Sequence, residues 1–420
     1  MGIKILSKKF YLIDSEKIIA LFFCLFVLFS LNAVPLRIIL SLPRSIFAFL
    51  FSVIAFVMAY GVNGLAIVKY RLGLFLVLFI LTVYFYFPLF GHPLNINYLI
   101  LFSGILPVLF FKERVYYILF RYLRKVILFV SICSLIIFFL LFLFPENSIP
   151  FPSFDMEPIS MAHIKGGISY RVYLFVVTYI GYDNVFFSAL GVSRICGFMS
   201  EPGHWGVLLA FILIAELFLY GKRSWILILC GLCTFSTAFY LILVIMELYL
   251  IFFERNFKWK RYSFILLSLI LIVIMIGPEM RQSIWDMVVG RNIDADKSLD
   301  DRTSSMGMMI WNHFLTKTSV FNRSFGFSPF ALEMKGAIIA DYRAMIYDLG
   351  FVGTVFVVFS FLFMVVKMKL KQAALILAIA GLIFVHRVWM FYMPYMYVFI
   401  IMINFANSYY KNANKAYDNR

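Results

Sequence analysis

Apolar runs long enough to cross a membrane recur along this chain, near 17–35, 45–61, 72–90, 96–111, 126–144, 202–220, 225–238, 239–253, 263–277, 349–366, 372–389 and 390–406. Inside a bilayer no water reaches the backbone, so a spanning segment must satisfy its own N–H and C=O groups. A helix does this in about 20 apolar residues. No alternating strand pattern competes, so the expected fold is all-α: a polytopic transmembrane helical bundle of about 12 spans. Composition agrees, with 64% hydrophobic and 14% charged residues, against roughly half and a quarter in soluble domains. The apolar run that follows the basic segment 4–17 reads as a retained first helix rather than a cleaved signal.

Charge sets the expected orientation. A net charge of +16 in so apolar a chain points to basic loops facing anionic lipid, and not to nucleic acid. Most lysines and arginines fall in short segments on one side if the N-terminus is cytoplasmic, and the C-terminus is then cytoplasmic too. Residues 1–420 form one integral membrane domain in this reading. Two long loops, 145–201 and 278–348, lie on the outer face. The stretch 225–253 is short for two crossings between basic flanks, so a hairpin of short helices turning at Thr234-Phe-Ser-Thr237, or a re-entrant pair, is expected. Lys112 to Lys125 reads as a basic amphipathic helix on the cytoplasmic surface. Residues 170–192, aromatic and partly apolar, lie in the interface or dip into the membrane. Cys24, Cys133, Cys230 and Cys233 sit within apolar runs and Cys196 stands apart, so no disulfide framework is expected.

The polar island in this apolar chain is 194–206, Arg-Ile-Cys-Gly-Phe-Met-Ser-Glu-Pro-Gly-His-Trp-Gly. Ser200 can cap a helix and Pro202 suits its first turn. A helix starting there presents N-terminal amides to an anion. Arg194 and Glu201 are close enough in sequence to share a pocket. The plainer reading has Glu201 complementing the helix dipole and Arg194 reaching lipid phosphate. Asp294, Asp296, Asp300 and Asp301 lack the glycine and glutamate of a calcium loop, so a solvated turn is favoured. Arg302 precedes a helical pattern with Met306, Met309, Ile310 and Phe314 on one face. Asp341, Arg343 and Asp348 stand before the tenth span. His204, His313 and His386 are possible acid–base groups, and their spacing matches no zinc motif. His386-Arg387 late in a span is costly unless it faces a polar cavity. Glu216 and Glu247 lie within spans, as proton carriers or as partners for arginines of other helices.

The segment Arg194-x-x-Gly-Phe-x-x-Glu-Pro-Gly-x-x-Gly resembles a hallmark of the Wzy-type O-antigen and capsule polymerases, in the O-antigen ligase/polymerase superfamily. Thr234-Phe-Ser-Thr237 looks like the family's Thr/Ser-rich turn. Arg302, Trp311 and Phe325-Gly326-Phe327 are similar to its large-loop run, with Ser328 near the place of a second glycine. Asp348-Leu-Gly350-Phe-Val-Gly353 resembles the start of its following helix. The His-Asn pair of many ligases is absent, and Tyr342-Arg343 stands there instead.

The resemblance implies a glycosyltransferase-type polymerase in the bacterial cytoplasmic (inner) membrane. Its substrate is an undecaprenyl-diphosphate-linked glycan, and it uses neither metal nor other cofactor. Membrane lipids, a flippase and a chain-length regulator are the implied partners. Arg194, Glu201, Arg302 and Arg343 are the expected catalytic set. Arg171, His204, His313, Arg323, Asp341, His386 and Arg387 are the expected substrate contacts. The alternatives are an O-antigen ligase, a lipid-linked oligosaccharide flippase or transporter favoured by Glu216 and Glu247, and a metal-dependent glycosyltransferase using Asp294 and Asp296.

Overall fold

A computed structural model describes residues 2–31, 34–35, 44–63, 69–86, 99–100, 103–144, 151–156, 169–180, 194–253, 304–327, 331–337, 339, 341–366, 368–386 and 388–418. The chain is mostly helical, as the apolar runs demand. Its helices are α1 (Gly2–Ser30), α2 (Arg44–Asn63), α3 (Lys69–Tyr86), α4 (Glu113–Leu143), α5 (Pro202–Tyr220), α6 (Trp225–Leu232), α7 (Thr237–Phe253), α8 (Ser305–Lys317), α9 (Val320–Phe325), α10 (Ala331–Met334), α11 (Tyr342–Val365), α12 (Leu370–His386) and α13 (Pro394–Asp418). Among the described residues, four stretches are long and apolar enough to cross a membrane: Ser45–Val62, Glu113–Leu141, Pro202–Tyr220 and Tyr342–Val365. Arg71–Val83, Thr237–Phe253 and Leu370–Val385 are shorter apolar helices. The expected span 263–277 lies outside the described residues. Within 96–111 the described structure includes a 3-10 turn, Leu106–Phe110, not an unbroken helix.

The core is built around α5. Every residue of α5 from Pro202 to Leu219 is buried, which is why its apolar character runs all the way round instead of forming one stripe. α6, α7 and α13 pack around it, and α4 meets it through Arg124 on Glu216 and Phe120 on Tyr220. Stacked or edge-on aromatic pairs knit this core, such as Phe211 on Phe399 at 5.9 Å and Tyr116 on Phe405 at 4.8 Å.

Two expectations change. The basic segment from Lys112 to Lys125 is no separate surface helix. It is the first part of α4, a continuous helix of 31 residues and about 46 Å. Its Val115, Tyr116, Leu119, Phe120 and Leu123 are buried in the bundle, so its apolar face meets protein and not the bilayer surface. The first long loop also carries a four-stranded antiparallel sheet in the order β1-β2-β3-β4: β1 (Ser153–Met156), β2 (Ser169–Tyr173), β3 (Val176–Ile180) and β4 (Arg194–Ile195). Hydropathy hides it, because short apolar strands and a short apolar helix look alike.

The 225–253 stretch turns where its polar residues stand. α6 has 8 residues, about 12 Å, far short of a bilayer. The chain turns through Cys233–Ser236 and returns as α7. Irregular backbone inside a membrane bundle survives only when protein or a polar cavity surrounds it, and here Thr234 and Ser236 are buried.

Glu216 and Glu247 are tied by arginines. Buried Glu216 accepts from Arg124 Nε at 2.5 Å and from the Ser224 amide at 2.6 Å. Glu247 lies 2.6 Å from Arg223. Removing one partner of a buried pair strands the other charge, at a cost of about 3 kcal/mol. Glu216→Ala should therefore lower thermal stability in detergent sharply, while Glu216→Gln, whose single amide oxygen still accepts one of the two bonds, should lose less. Equal losses in the two melting curves would contradict the pairing.

Candidate functional site

Arg194 is the anchor of the site. It stands in β4 opposite Tyr179 of β3. Its Nε donates to the Thr234 carbonyl at 3.3 Å and its Nη2 to the Phe235 carbonyl at 2.8 Å. These carbonyls belong to the turn between α6 and α7. Phe235 itself has φ 48, a left-handed conformation that costs a bulky residue about 1–3 kcal/mol. The Arg194 bonds and the packing of the Phe235 ring on Phe138 of α4, at 6.2 Å, hold it there. Two carbonyl acceptors on one side fix the plane of the guanidinium.

The turn meets the first helical turn of α5. A Cβ placed on Gly206 would lie 2.9 Å from Phe239 Cβ and 3.5 Å from both Thr234 Oγ1 and Ser236 Cβ. Ser200 is not the cap of α5. Glu201 takes that position with extended backbone, φ −143 and ψ 144, and Pro202 follows at the start of the helix. The Glu201 side chain does not cap. It turns to His204, one helical turn on, with Oε2 3.1 Å from His204 Nε2. Arg194, through the turn it grips, and the Glu201–His204 pair thus stand at the same end of α5. Sequence spacing suggested the Arg194–Glu201 neighbourhood; it gave no sign that Glu201 would engage His204.

A second polar cluster forms where α8, α9 and α10 pack on the start of α11. Arg343 Nε and Nη2 grip Asp341 at 2.6–3.0 Å, and Nη1 lies 3.0 Å from Met308 Sδ of α8. The Asp341 side chain also accepts from the Arg343 amide at 2.9 Å, capping α11. Asp348 accepts from the Phe327 amide with its carbonyl and from the Leu332 amide with its carboxylate, at 3.0 and 3.3 Å. Gly326 and Gly350, at φ 73 and φ 69, press backbone against backbone at this point. The Phe325-Gly-Phe327 and Asp348-Leu-Gly350 motifs, separate in sequence, therefore form one clasp. Below it Phe314, Leu332, Ala337 and Tyr347 make a small core of their own.

The remaining candidates separate from these clusters. Arg171 lies across the sheet from Asp155 and Thr178, in a register that alternates with that of Arg194, Tyr179 and Tyr170. Alternation puts Arg171 and Arg194 on opposite faces, so Arg171 does not join the Arg194 cluster. It makes two bonds to Asp155 at 2.6 and 3.0 Å instead. His313 is exposed on α8. Arg323 donates to the Leu315 carbonyl at 3.0 Å on α9. His386 ends α12. Arg302, Arg387, Asp294 and Asp296 lie outside the described residues.

The packed face of α8 is also corrected. Phe314 is buried, but Met306 and Met309 are exposed. The inward face is Gly307, Ile310, Trp311 and Phe314, one residue round from the expected face, because Ile310, Trp311 and Phe314 pack on the small core with Leu332 and Tyr347.

The Arg171 guanidinium, chiefly by its hydrogen bond, holds the Asp155 carboxyl below the usual carboxylate range; burial opposes this, and the attraction of the Arg171 charge adds the smallest share. A lowered folded-state value means that the pair stabilises the sheet above the unfolded carboxylate pKa, about 3.9, and that this is lost as pH falls through the folded value. Asp155 is largely exposed, so the effect is only a few tenths of a kcal/mol. Asp155→Asn should lower stability slightly at neutral pH and not at pH 2–3, as read by melting temperature against pH. Searches against protein families, curated proteins and solved structures find no match to this chain.

Proposed function

We propose that the protein polymerises oligosaccharide repeat units carried on a polyprenyl diphosphate at the outer face of a bacterial cytoplasmic membrane, in O-antigen, capsule or exopolysaccharide synthesis. The observation that carries this reading is that a carbonyl-fixed arginine, Arg194, and the Glu201–His204 pair stand at the same end of the most buried helix. The four motif fragments that resemble the polymerase family also pair off spatially in support. Arg194 meets the Thr234 turn, and Gly326 meets Gly350.

The chemistry asks little beyond such a site. A sugar hydroxyl of one repeat unit attacks the anomeric carbon of the diphosphate-linked glycan. The new carbon–oxygen bond forms as the bond to the diphosphate oxygen breaks, and the diphosphate leaves with the electron pair. Glu201 and His204 receive the hydroxyl proton. Arg194 stabilises charge gathering on the leaving diphosphate, a role for which a preorganised guanidinium is suited. Arg302 and Arg343 are assigned to diphosphate or glycan contact. The Asp341 grip on Arg343 makes it a positioned group rather than a freely swinging one.

Two observations weigh against a transporter. Glu216 and Glu247, the intramembrane carboxylates that favoured it, are partners of Arg124 and Arg223. A gene deletion decides among the readings when the surface glycan is sized on a gel. Loss of the polymerase leaves a single repeat unit on the acceptor. Loss of a ligase leaves the acceptor bare, and that outcome would replace this proposal.

A further inference from the structure

The turn between β2 and β3 is built from residues that water does not favour. Leu174 has φ 56 at the first position of a two-residue hairpin turn, where glycine is preferred. A leucine held there is strained by about 1–3 kcal/mol. It is nevertheless 54% exposed, within the apolar run Val172-Tyr-Leu-Phe-Val-Val177. The charged residues of the sheet, Asp155, Arg171 and Arg194, all stand away from the turn, toward the base of the hairpin.

The hairpin lies against α4. Phe175, at the tip, has its ring 5.4 Å from that of Phe129, and Tyr173 and Val176 cluster with Ile137 and Leu141. Two contacts mark where the sheet meets α4. From Phe175 to Tyr179, the partner of Arg194, is four strand residues, about 13 Å. From Phe129 to Phe138, whose ring meets the turn that Arg194 grips, is nine helical residues, about 13.5 Å. Nine residues also carry the helix half a turn round, so Phe129 and Phe138 lie on opposite faces and the sheet crosses α4 obliquely, with its tip beside Phe129 near the middle of that helix.

α4 itself shows which medium surrounds the tip. Phe129, Ile132, Ile136, Phe139 and Leu143 recur at three- and four-residue spacing on one helix face. All are exposed, from 39% at Ile132 to 67% at Leu143. In a membrane bundle such a strip faces acyl chains. The tip of the hairpin is continuous with it, about 21 Å along α4 from Leu143. β2 and β3 are interior strands, paired on both sides, so their backbone groups are satisfied as hydrocarbon requires.

We infer that the β2–β3 hairpin enters the bilayer tip first, with Leu174 against lipid acyl chains. Arg194, near the base of the hairpin, then lies closer to the membrane surface than Leu174 does, where an arginine is well placed to meet a lipid-borne diphosphate. This insertion goes beyond the polymerase reading and stands without it.

The test places a nitroxide on Leu174→Cys, Phe129→Cys and Asp155→Cys in phospholipid vesicles, with unlabelled-site wild type as the background for the native cysteines. Collision rates with oxygen, which partitions into hydrocarbon, are compared with those of a water-soluble nickel chelate. Position 174 should match 129, with oxygen favoured several-fold more than at 155. A chelate response at 174 equal to that at 155 overturns the inference. Wild-type protein in vesicles doped with a diazirine-bearing acyl lipid gives a second readout that needs no variant. Adducts should appear on Leu174 or Phe175 as well as on the α4 strip, and adducts on the strip alone overturn it.

Discussion

Arg194→Ala, made and inserted at the wild-type level, should leave cells with a single repeat unit on the acceptor and no polymer ladder, a rate loss of roughly 100- to 1,000-fold for removing one preorganised charge stabiliser. Arg194→Lys should recover little. A lysine is a point charge without the planar fork that reaches the Thr234 and Phe235 carbonyls together. The competing view is that Arg194 only props the α6–α7 turn. Two neutral-acceptor bonds are worth about 1–3 kcal/mol each to a charged donor, so the melting temperature of the purified variant separates the two. Polymer lost with stability largely kept supports the chemical role. Full-length polymer from Arg194→Ala removes Arg194 from the site. Glu201→Gln and His204→Gln should each fall short of this effect if the pair shares the proton, and the double variant should be no worse than the poorer single one.

Gly350→Ala should be the most destabilising conservative change in the described chain. Gly350 sits at φ 69 and ψ 176, a region open essentially to glycine alone. A methyl group there would collide with the Ser324 carbonyl and the Gly326 amide. Neither contact is a flexible side-chain end that could swing aside. The cost is about 3 kcal/mol or more, a melting shift on the order of 10 °C. Gly326→Ala meets the Asp348 carbonyl and Gly350 amide from the other side and should behave alike. Because each substitution breaks the same clasp, the double variant should cost clearly less than the sum of the singles. Simple additivity in thermal unfolding would show that the two backbones do not bear on one another.

Part of this molecule is legible in its residues alone. The apolar run 202–220 coincides with α5, since a proline at the start and Gly221 at φ 64 at the end punctuate it locally. The turn at Thr234 to Ser236 is legible for a similar reason: polar residues interrupt an apolar run too short to cross twice. The sheet was not legible, because strand pairing joins residues 153 to 195 through contacts that no local period records. The long α4 was misread in two pieces, because a basic amphipathic face against protein looks the same in sequence as one against lipid.

The candidate site divides along the same line. The residues alone place polar and charged groups at 194–206 and before the tenth span, because such groups are too costly in hydrocarbon to be incidental. Their partners come from packing between distant segments. That packing put Arg194 on two carbonyls 40 and 41 residues away, turned Glu201 toward His204, sent Arg171 to the opposite face of the sheet, and joined Gly326 to Gly350. The physical reason is that burial cost is a property of each residue and is written locally. A hydrogen-bond partner or a backbone contact depends on which distant segments pack together.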